Sequence, residues 1–457
     1  MLIQFSIKNY RSIKDEAELQ MITDAGKELL DSNTFQPDAK GASNFGMMKS
    51  AVVYGANAAG KSNIINALSK MQWLVLNSAT KLQSGEALDI EPFKFSVDSI
   101  NEPTEFNMDF ISEGIRYQYG FSANNERVLE EWLFAYPNGR AQTWFMREYD
   151  QKAEQYNWTK DSYLSGAKST WKEATRDNAL FLSTAIQLNS KQLSPVYHWF
   201  SKVLRVIGTH DLNTIQTAQQ VLSEKRTRDE VLSFLKAGDL GIEDIRVHDK
   251  YSYNSPSIDN EGKKRESWLA NVGKNLQMPQ SLDSPSFSRV SSSNVSSARP
   301  FYADNLIIET GHRLEDGSFQ YLDLKEESDG TQRMFAFAAP LVESLQDGAV
   351  VFIDELNNSL HPTMVKFLVS LFNSADSNAN KAQLVFTTHE TSILSQDVFR
   401  RDQIWFCEKN KAQSTTLYSL SEFSVRKGAD NIERNYLSGK YGALPFIDKS
   451  NLGDLHG

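Results

Sequence analysis

The sequence predicts an α/β head folded from the two ends of the chain around a different middle. Strands and helices alternate in both end thirds. A short apolar strand at 51–54 (AVVY) runs into a glycine loop and then a helix. Between the ends, 92–149 carries β-rich segments (PFKF, TEFNMDFI, IRYQYGFSA, EEWLFAYP, TWFMREY) parted by polar turns such as Asn124-Asn125 and Pro137-Asn138-Gly139. The expected division is 1–125 for the first half of the head, 126–300 for a β/helical insertion, and 301–457 for the second half.

Residues 2–8 (LIQFSIK) alternate apolar and polar, as a strand with one buried face does, and 17–22 is placed to pair back on them. After the glycine loop, Ile64, Ile65, Leu68, Met71 and Leu74 recur at roughly helical spacing, which predicts a helix over 63–76. The stretch 160–245 is mostly helical in pattern. Serine-rich, aliphatic-poor 251–300 is expected to be a long, loosely ordered loop. Order is expected to return with a strand at 305–308 (NLII). A helix over 330–345 and a fully buried strand at 349–353 (AVVFI) follow. A helix at 362–372 then leads to strands at 383–387 (QLVFT) and 403–407 (QIWFC).

The 457 residues exceed one typical domain, and 40% hydrophobic with 23% charged is ordinary globular composition. A formal net charge of −10 argues against whole-surface affinity for nucleic acid or anionic membrane, although a local basic patch stays open. The single cysteine, Cys407, excludes an internal disulfide framework and a cysteine-built zinc site. The opening MLIQFSIKNYRS lacks the layout of a signal peptide, and no apolar run reaches the length of a membrane span. A cytoplasmic protein with no membrane partner is expected.

Four motifs carry chemistry. Gly55-Ala-Asn-Ala-Ala-Gly60-Lys61-Ser62 lies between a strand and a helix, the context in which such a loop cradles phosphate. Glycines let the backbone curl around the anion and aim its N–H groups inward, and the helix N-terminus adds positive potential. Lys61 is expected to reach the β- and γ-phosphates of ATP, and Ser62 to ligate Mg²⁺. Asn57, Gly60 and Asn63 complete the expected nucleotide contacts. The apolar strand before Asp354-Glu355 delivers two carboxylates, one for the metal (Asp354) and one to polarise an attacking water (Glu355). Ser328-Asp329-Gly330-Thr331-Gln332-Arg333 caps a helix just ahead of that strand and offers a second anion-binding N-terminus. His389, just past the strand QLVFT, is placed to hydrogen-bond a γ-phosphate and assist catalysis.

With these motifs in this order, the chain resembles the ABC-type ATPases of the SMC, RecF and OLD group over roughly 1–120 and 305–445. Gly55–Ser62 resembles Walker A, Ser328–Arg333 the ABC signature, and Asp354-Glu355 Walker B with its catalytic glutamate. Ser359-Leu360-His361-Pro362 resembles the D-loop and His389 the switch histidine. The resemblance implies that ATP is sandwiched between two heads, with Ser328 and Gly330 acting on the partner's nucleotide. It also implies a phosphate-side role for Arg11 in the opening F-x-I-K-N-Y-R-S-I. Asp329 stands where many such proteins have glycine, no Q-loop glutamine is evident, and coiled-coil arms and a nuclease (Toprim) domain are missing from the pattern. What remains is similar to the arm-less ATPases of anti-phage systems, such as the PARIS ATPase component and RloA-like proteins. That implies a sensor or scaffold subunit, a homo-oligomer through its heads, a phage-encoded trigger and a separately encoded effector, of Toprim nuclease type. The alternative is a RecF-like repair ATPase that binds DNA, for which Lys263-Lys264-Arg265 and Lys225-Arg226 are the basic candidates.

Overall fold

The computed structural model describes residues 1–39, 45–160, 162–208, 211–249, 306–425 and 430–445. The chain divides into two compact units: Met1–Asp211 with Glu343–Gly457, and Leu212–Val342. The expected loop 251–300 and the Lys263–Arg265 cluster lie outside the described residues.

A six-stranded sheet organises the first unit. Its order is Leu204–Ile207, Val350–Ile353, Gln383–Thr387, Ser50–Tyr54, Ile404–Lys409, Thr415–Ser419. All neighbours pair in parallel except the last two strands, which are antiparallel. The three central strands are buried along their whole length, as covered parallel strands must be, and this is why they are written in continuous apolar runs. Register aligns Phe352 with Val385, and Phe386 with Val52. Their carboxyl ends therefore finish on one edge, the place where open α/β sheets bind ligands.

Helix Lys61–Asn77 follows the glycine loop and buries Ile64, Ile65, Leu68, Met71, Leu74 and Val75. The Gln72 side-chain amide donates to the carbonyls of Phe200 (2.7 Å) and Leu204 (2.9 Å), tying this helix to the start of the Leu204–Ile207 strand. That edge strand sits inside the region expected to be mostly helical. Four residues are too few for periodicity to separate strand from helix.

While PFKF at 92–95 forms no strand, the four other β-rich segments join three further strands in a seven-stranded antiparallel sheet. Its order is Gln155–Trp158, Gln142–Asp150, Val128–Ala135, Ile115–Ala123, Thr104–Ser112, Leu2–Lys8, Ala17–Gln20. The boundary expected at 125/126 falls inside this sheet, because Val128–Ala135 pairs with Ile115–Ala123 across a short turn. Gln383 joins the two sheets. Its Oε1 accepts from Leu2 N at 2.6 Å, and its Nε2 donates to the carbonyls of Leu2 and Met48, each at 3.1 Å.

A buried ion pair pins the helices against the second sheet. Glu131 and Arg147 face each other across two strands, both side chains fully buried. The Glu131 carboxylate accepts from Arg147 Nε (2.9 Å), from the Tyr119 hydroxyl (3.1 Å), and from the backbone N–H groups of Phe181 (2.6 Å) and Leu182 (3.0 Å). It thereby satisfies the open N-terminus of helix Phe181–Gln187.

In the second unit, helices Thr214–Ser223 and Lys225–Ala237 accompany a three-stranded antiparallel sheet of Asp244–Asp249, Leu306–Arg313 and Phe319–Asp323. Arg226 in the second helix is exposed and paired with Glu230 at 2.8 Å. Helix Asp329–Asp347 carries the chain back into the first unit.

Replacing Glu131 with alanine leaves Arg147 buried without its partner and strips the cap from Phe181–Gln187. The expected loss is about 3–5 kcal/mol, read as a lowered denaturation midpoint. A midpoint within error of wild type would show that the pair does not hold the lobe together.

Candidate nucleotide site

The loop 55–60 is shaped by close approach. A Cβ on Gly55 would lie 2.3 Å from the Cys407 carbonyl oxygen, and Gly60 has φ +108° with only 2.2 Å from its ideal Cβ to Thr415 Oγ1. Neither position accepts a side chain. The loop is braced from outside by Thr415, whose hydroxyl donates to the Ala59 carbonyl (2.8 Å) and meets Ser12 Oγ (2.8 Å). The Cys407 thiol lies against the same Ala59 carbonyl (3.4 Å), and burial pushes it up to about 12.

Lys61 opens the helix and is 6% exposed, with its ammonium on the carbonyls of Gly55 (2.8 Å) and Ala56 (3.0 Å). Burial lowers its pKa below the usual lysine range, while Cys407, Asp354 and Glu355 oppose that shift. A cation held by two carbonyls near two carboxylates fits a phosphate ligand that would replace the carbonyl contacts. Ser62 is half-buried beside it, and Asn57 is exposed on the loop. Asn63 is engaged within the protein, donating to Ser12 Oγ at 2.7 Å.

Asp354 and Glu355 leave the end of Val350–Ile353, two strands from the glycine loop in the sheet order. Thr387 ends the intervening strand and positions both. Its hydroxyl donates to Asp354 Oδ1 (2.6 Å) and accepts from Glu355 N (2.8 Å). Glu355 takes φ 53°, a left-handed conformation that costs a side-chain-bearing residue about 1–2 kcal/mol. Asp354 is 7% exposed. One hydroxyl and one carboxylate, Ser62 and Asp354, are the hard oxygen donors that magnesium accepts together with phosphate oxygens.

His389 follows the Gln383–Thr387 strand and is exposed. Lost hydration, then the Lys61 charge, lower its pKa below the usual histidine value, against the pull of Glu355 and Asp354. Lys61, Asp354, Glu355 and His389 thus share one electrostatic site. Asn357 accepts from the Thr388 hydroxyl (2.9 Å) and from His389 N (3.3 Å). Ser359 sits at φ 59°, and His361 Nδ1 accepts from Thr363 N (3.2 Å) to cap helix Pro362–Asn373.

Arg11 stands in the turn that also supplies Ser12. Its guanidinium pairs with Glu91 (3.2 Å) and its N–H donates to the Glu91 carbonyl (2.8 Å). Ser328 and Gly330 belong to the second unit. There Ser328 Oγ accepts from Thr331 N (3.2 Å) and its carbonyl from Gln332 N (2.9 Å), so Ser328 caps the helix that contains Gly330. Ser12, Thr387, Asn357 and Thr415 were not among the sequence candidates. Only Thr387, a polar residue ending an apolar strand, left a local signal.

Strand, glycine loop and helix, with two carboxylates at the end of a strand two places along the sheet, are the arrangement of a candidate P-loop nucleotide site. The sequence matches the family described as "AAA domain, putative AbiEii toxin, Type IV TA system" over residues 50–395, and the chain belongs to that family of ATP-binding ATPases. No curated protein matches. Among solved structures, the SMC head domain from Thermotoga maritima is similar at 11% identity and TM-score 0.38, covering 93% of this chain and 99% of that one. An SMC head bound to the C-winged helix domain of ScpA gives 11% identity and TM-score 0.39, covering 93% and 98%.

Because burial and then the Lys61 charge hold the His389 pKa down, Lys61→Ala is expected to raise the midpoint of His389 part of the way toward the usual value of 6.5. An NMR titration of the imidazole resonances reads this directly. An unmoved midpoint would place the two groups outside each other's field.

Proposed function

We propose that this chain is a magnesium-dependent, ABC-type ATPase whose nucleotide is closed between two copies of the head. The observation that carries this reading is the gathering of Lys61, Asp354, Glu355 and His389 at one end of a parallel sheet, with Thr387 holding the Asp354 carboxylate and the Glu355 backbone. Lys61 and the loop N–H groups bind the phosphates. Ser62 and Asp354 would hold Mg²⁺, which supplies neutralisation of phosphate charge. Glu355 polarises the attacking water as general base, and His389 donates to the γ-phosphate. Ser328 and Gly330 offer the capped helix N-terminus that would close over the nucleotide of a second copy.

The cellular reading is a sensor or scaffold subunit of an anti-phage system that restrains a separately encoded toxic effector, of nuclease type. It is supported by a family description that names a toxin–antitoxin system and by the resemblance of the motifs to anti-phage ATPases. Mass spectrometry of what copurifies with the tagged Glu355→Gln chain in its native operon context tests it. A stoichiometric effector, lost on mutating Lys61, is expected. Recovery with DNA instead would favour the repair reading.

For the chemistry, Lys61→Ala is expected to abolish ATP binding. Glu355→Gln is expected to keep binding and lower turnover by at least about a hundredfold, trapping a dimer on a sizing column. Turnover at the wild-type rate would remove Glu355 from the role of base. Mixing Lys61→Ala with Ser328→Ala chains should restore one composite site per dimer, and complete lack of rescue would count against action in trans.

A further inference from the structure

We infer that Asn357 is the positioning residue through which the 359–361 turn holds His389 in place, an assignment that rests on the ATPase reading above. Asn357 lies two residues beyond Glu355 and is half-buried. It takes part in two turns at once. Its backbone carbonyl accepts from Leu360 N (3.0 Å), which folds the chain into the turn ahead of His361. Its side-chain Oδ1 accepts from Thr388 Oγ1 (2.9 Å) and from His389 N (3.3 Å), which fixes the backbone from which the histidine ring projects. Thr388 is itself fully buried, and its hydroxyl accepts from Glu390 N (3.0 Å), so the switch turn is held on both sides of His389.

The neighbouring strands make this link stiff. Leu356 N donates to the Thr387 carbonyl (3.1 Å), and Thr388 N donates to the Val53 carbonyl (3.2 Å). Residues 354–357 and 387–389 therefore move as one braced piece, and the free end of that piece is the turn at Ser359, whose φ of 59° stores local strain. A displacement of Ser359–His361 passes through the Asn357 carbonyl to its side chain, and from there to the main chain of His389. Asn357 acts by keeping the imidazole aimed.

Asn357 uses only its oxygen as an acceptor in these bonds, so aspartate can reproduce them and alanine cannot. The experiment is steady-state ATP hydrolysis by the full chain carrying Asn357→Ala, Asn357→Asp, His389→Ala, and Asn357→Ala with His389→Ala, alongside binding of a fluorescent ATP analogue. Asn357→Ala is expected to lower kcat about tenfold, the worth of a hydrogen-bonded constraint, while KM and analogue affinity stay within about twofold of wild type. Asn357→Asp is expected to recover most of the lost rate. The double variant is expected to be no slower than His389→Ala alone, because the two residues act as one unit.

Additive losses in the double variant, or a KM rise that accounts for the whole defect, would overturn the assignment. So would an Asn357→Ala enzyme with wild-type kcat. A wild-type chain that binds but never hydrolyses ATP would instead strike the ATPase reading itself, and the two failures are separated by that single control.

Discussion

Parallel pairing of Ser50–Tyr54, Gln383–Thr387 and Val350–Ile353 is the constraint on which the rest depends. Parallel strands in register finish together, so three segments far apart in sequence deliver a glycine loop, a histidine and two carboxylates to one edge. Burial on both faces is what makes the pairing unique, because a slipped register would carry Thr387 away from Asp354. The site is thus a by-product of strand alignment, and the side chains need only be placed at the right ends.

Polar side chains then fasten the chain's distant parts with few atoms. Gln383 bridges the two sheets by acting as a borrowed peptide group toward Leu2. Arg400, fully buried, reaches Asp402 (2.7 Å), Asp24 (3.1 Å) and the Gly26 carbonyl (3.1 Å). Gln403 binds Ser50 and Asn33 side chains at 2.9 and 2.7 Å. In each case at least one partner of the buried polar group lies hundreds of residues away, so removing one partner leaves the others without a bond.

Much of the head was legible because its elements carry strong local signals. Apolar runs bounded by turns located the central strands within one or two residues, and Gln383–Thr387 was placed without error. The glycine loop announced its own geometry, since Gly55 and Gly60 have no room for a Cβ. Six strands of the seven-stranded sheet were legible, but Gln155–Trp158 was missed and the expected strand PFKF at 92–95 does not form. Nothing local says that Leu2–Lys8 pairs with Thr104–Ser112. The braces Ser12 and Thr415 were invisible for the same reason: an isolated hydroxyl in a turn has meaning only once its partner, 403 positions away, is known. Asn63, expected to face the nucleotide, spends its amide on Ser12.

The single cysteine has a practical consequence. Cys407 lies under the phosphate loop, fully buried, with a thiol that stays protonated far above neutral pH. A protonated, inaccessible thiol is a poor nucleophile, so the native chain is silent toward maleimides and iodoacetamides. A cysteine introduced on an exposed turn would be the one reactive thiol in the molecule. Fluorophores or spin labels can therefore be placed one per chain on the natural background without first engineering thiols away.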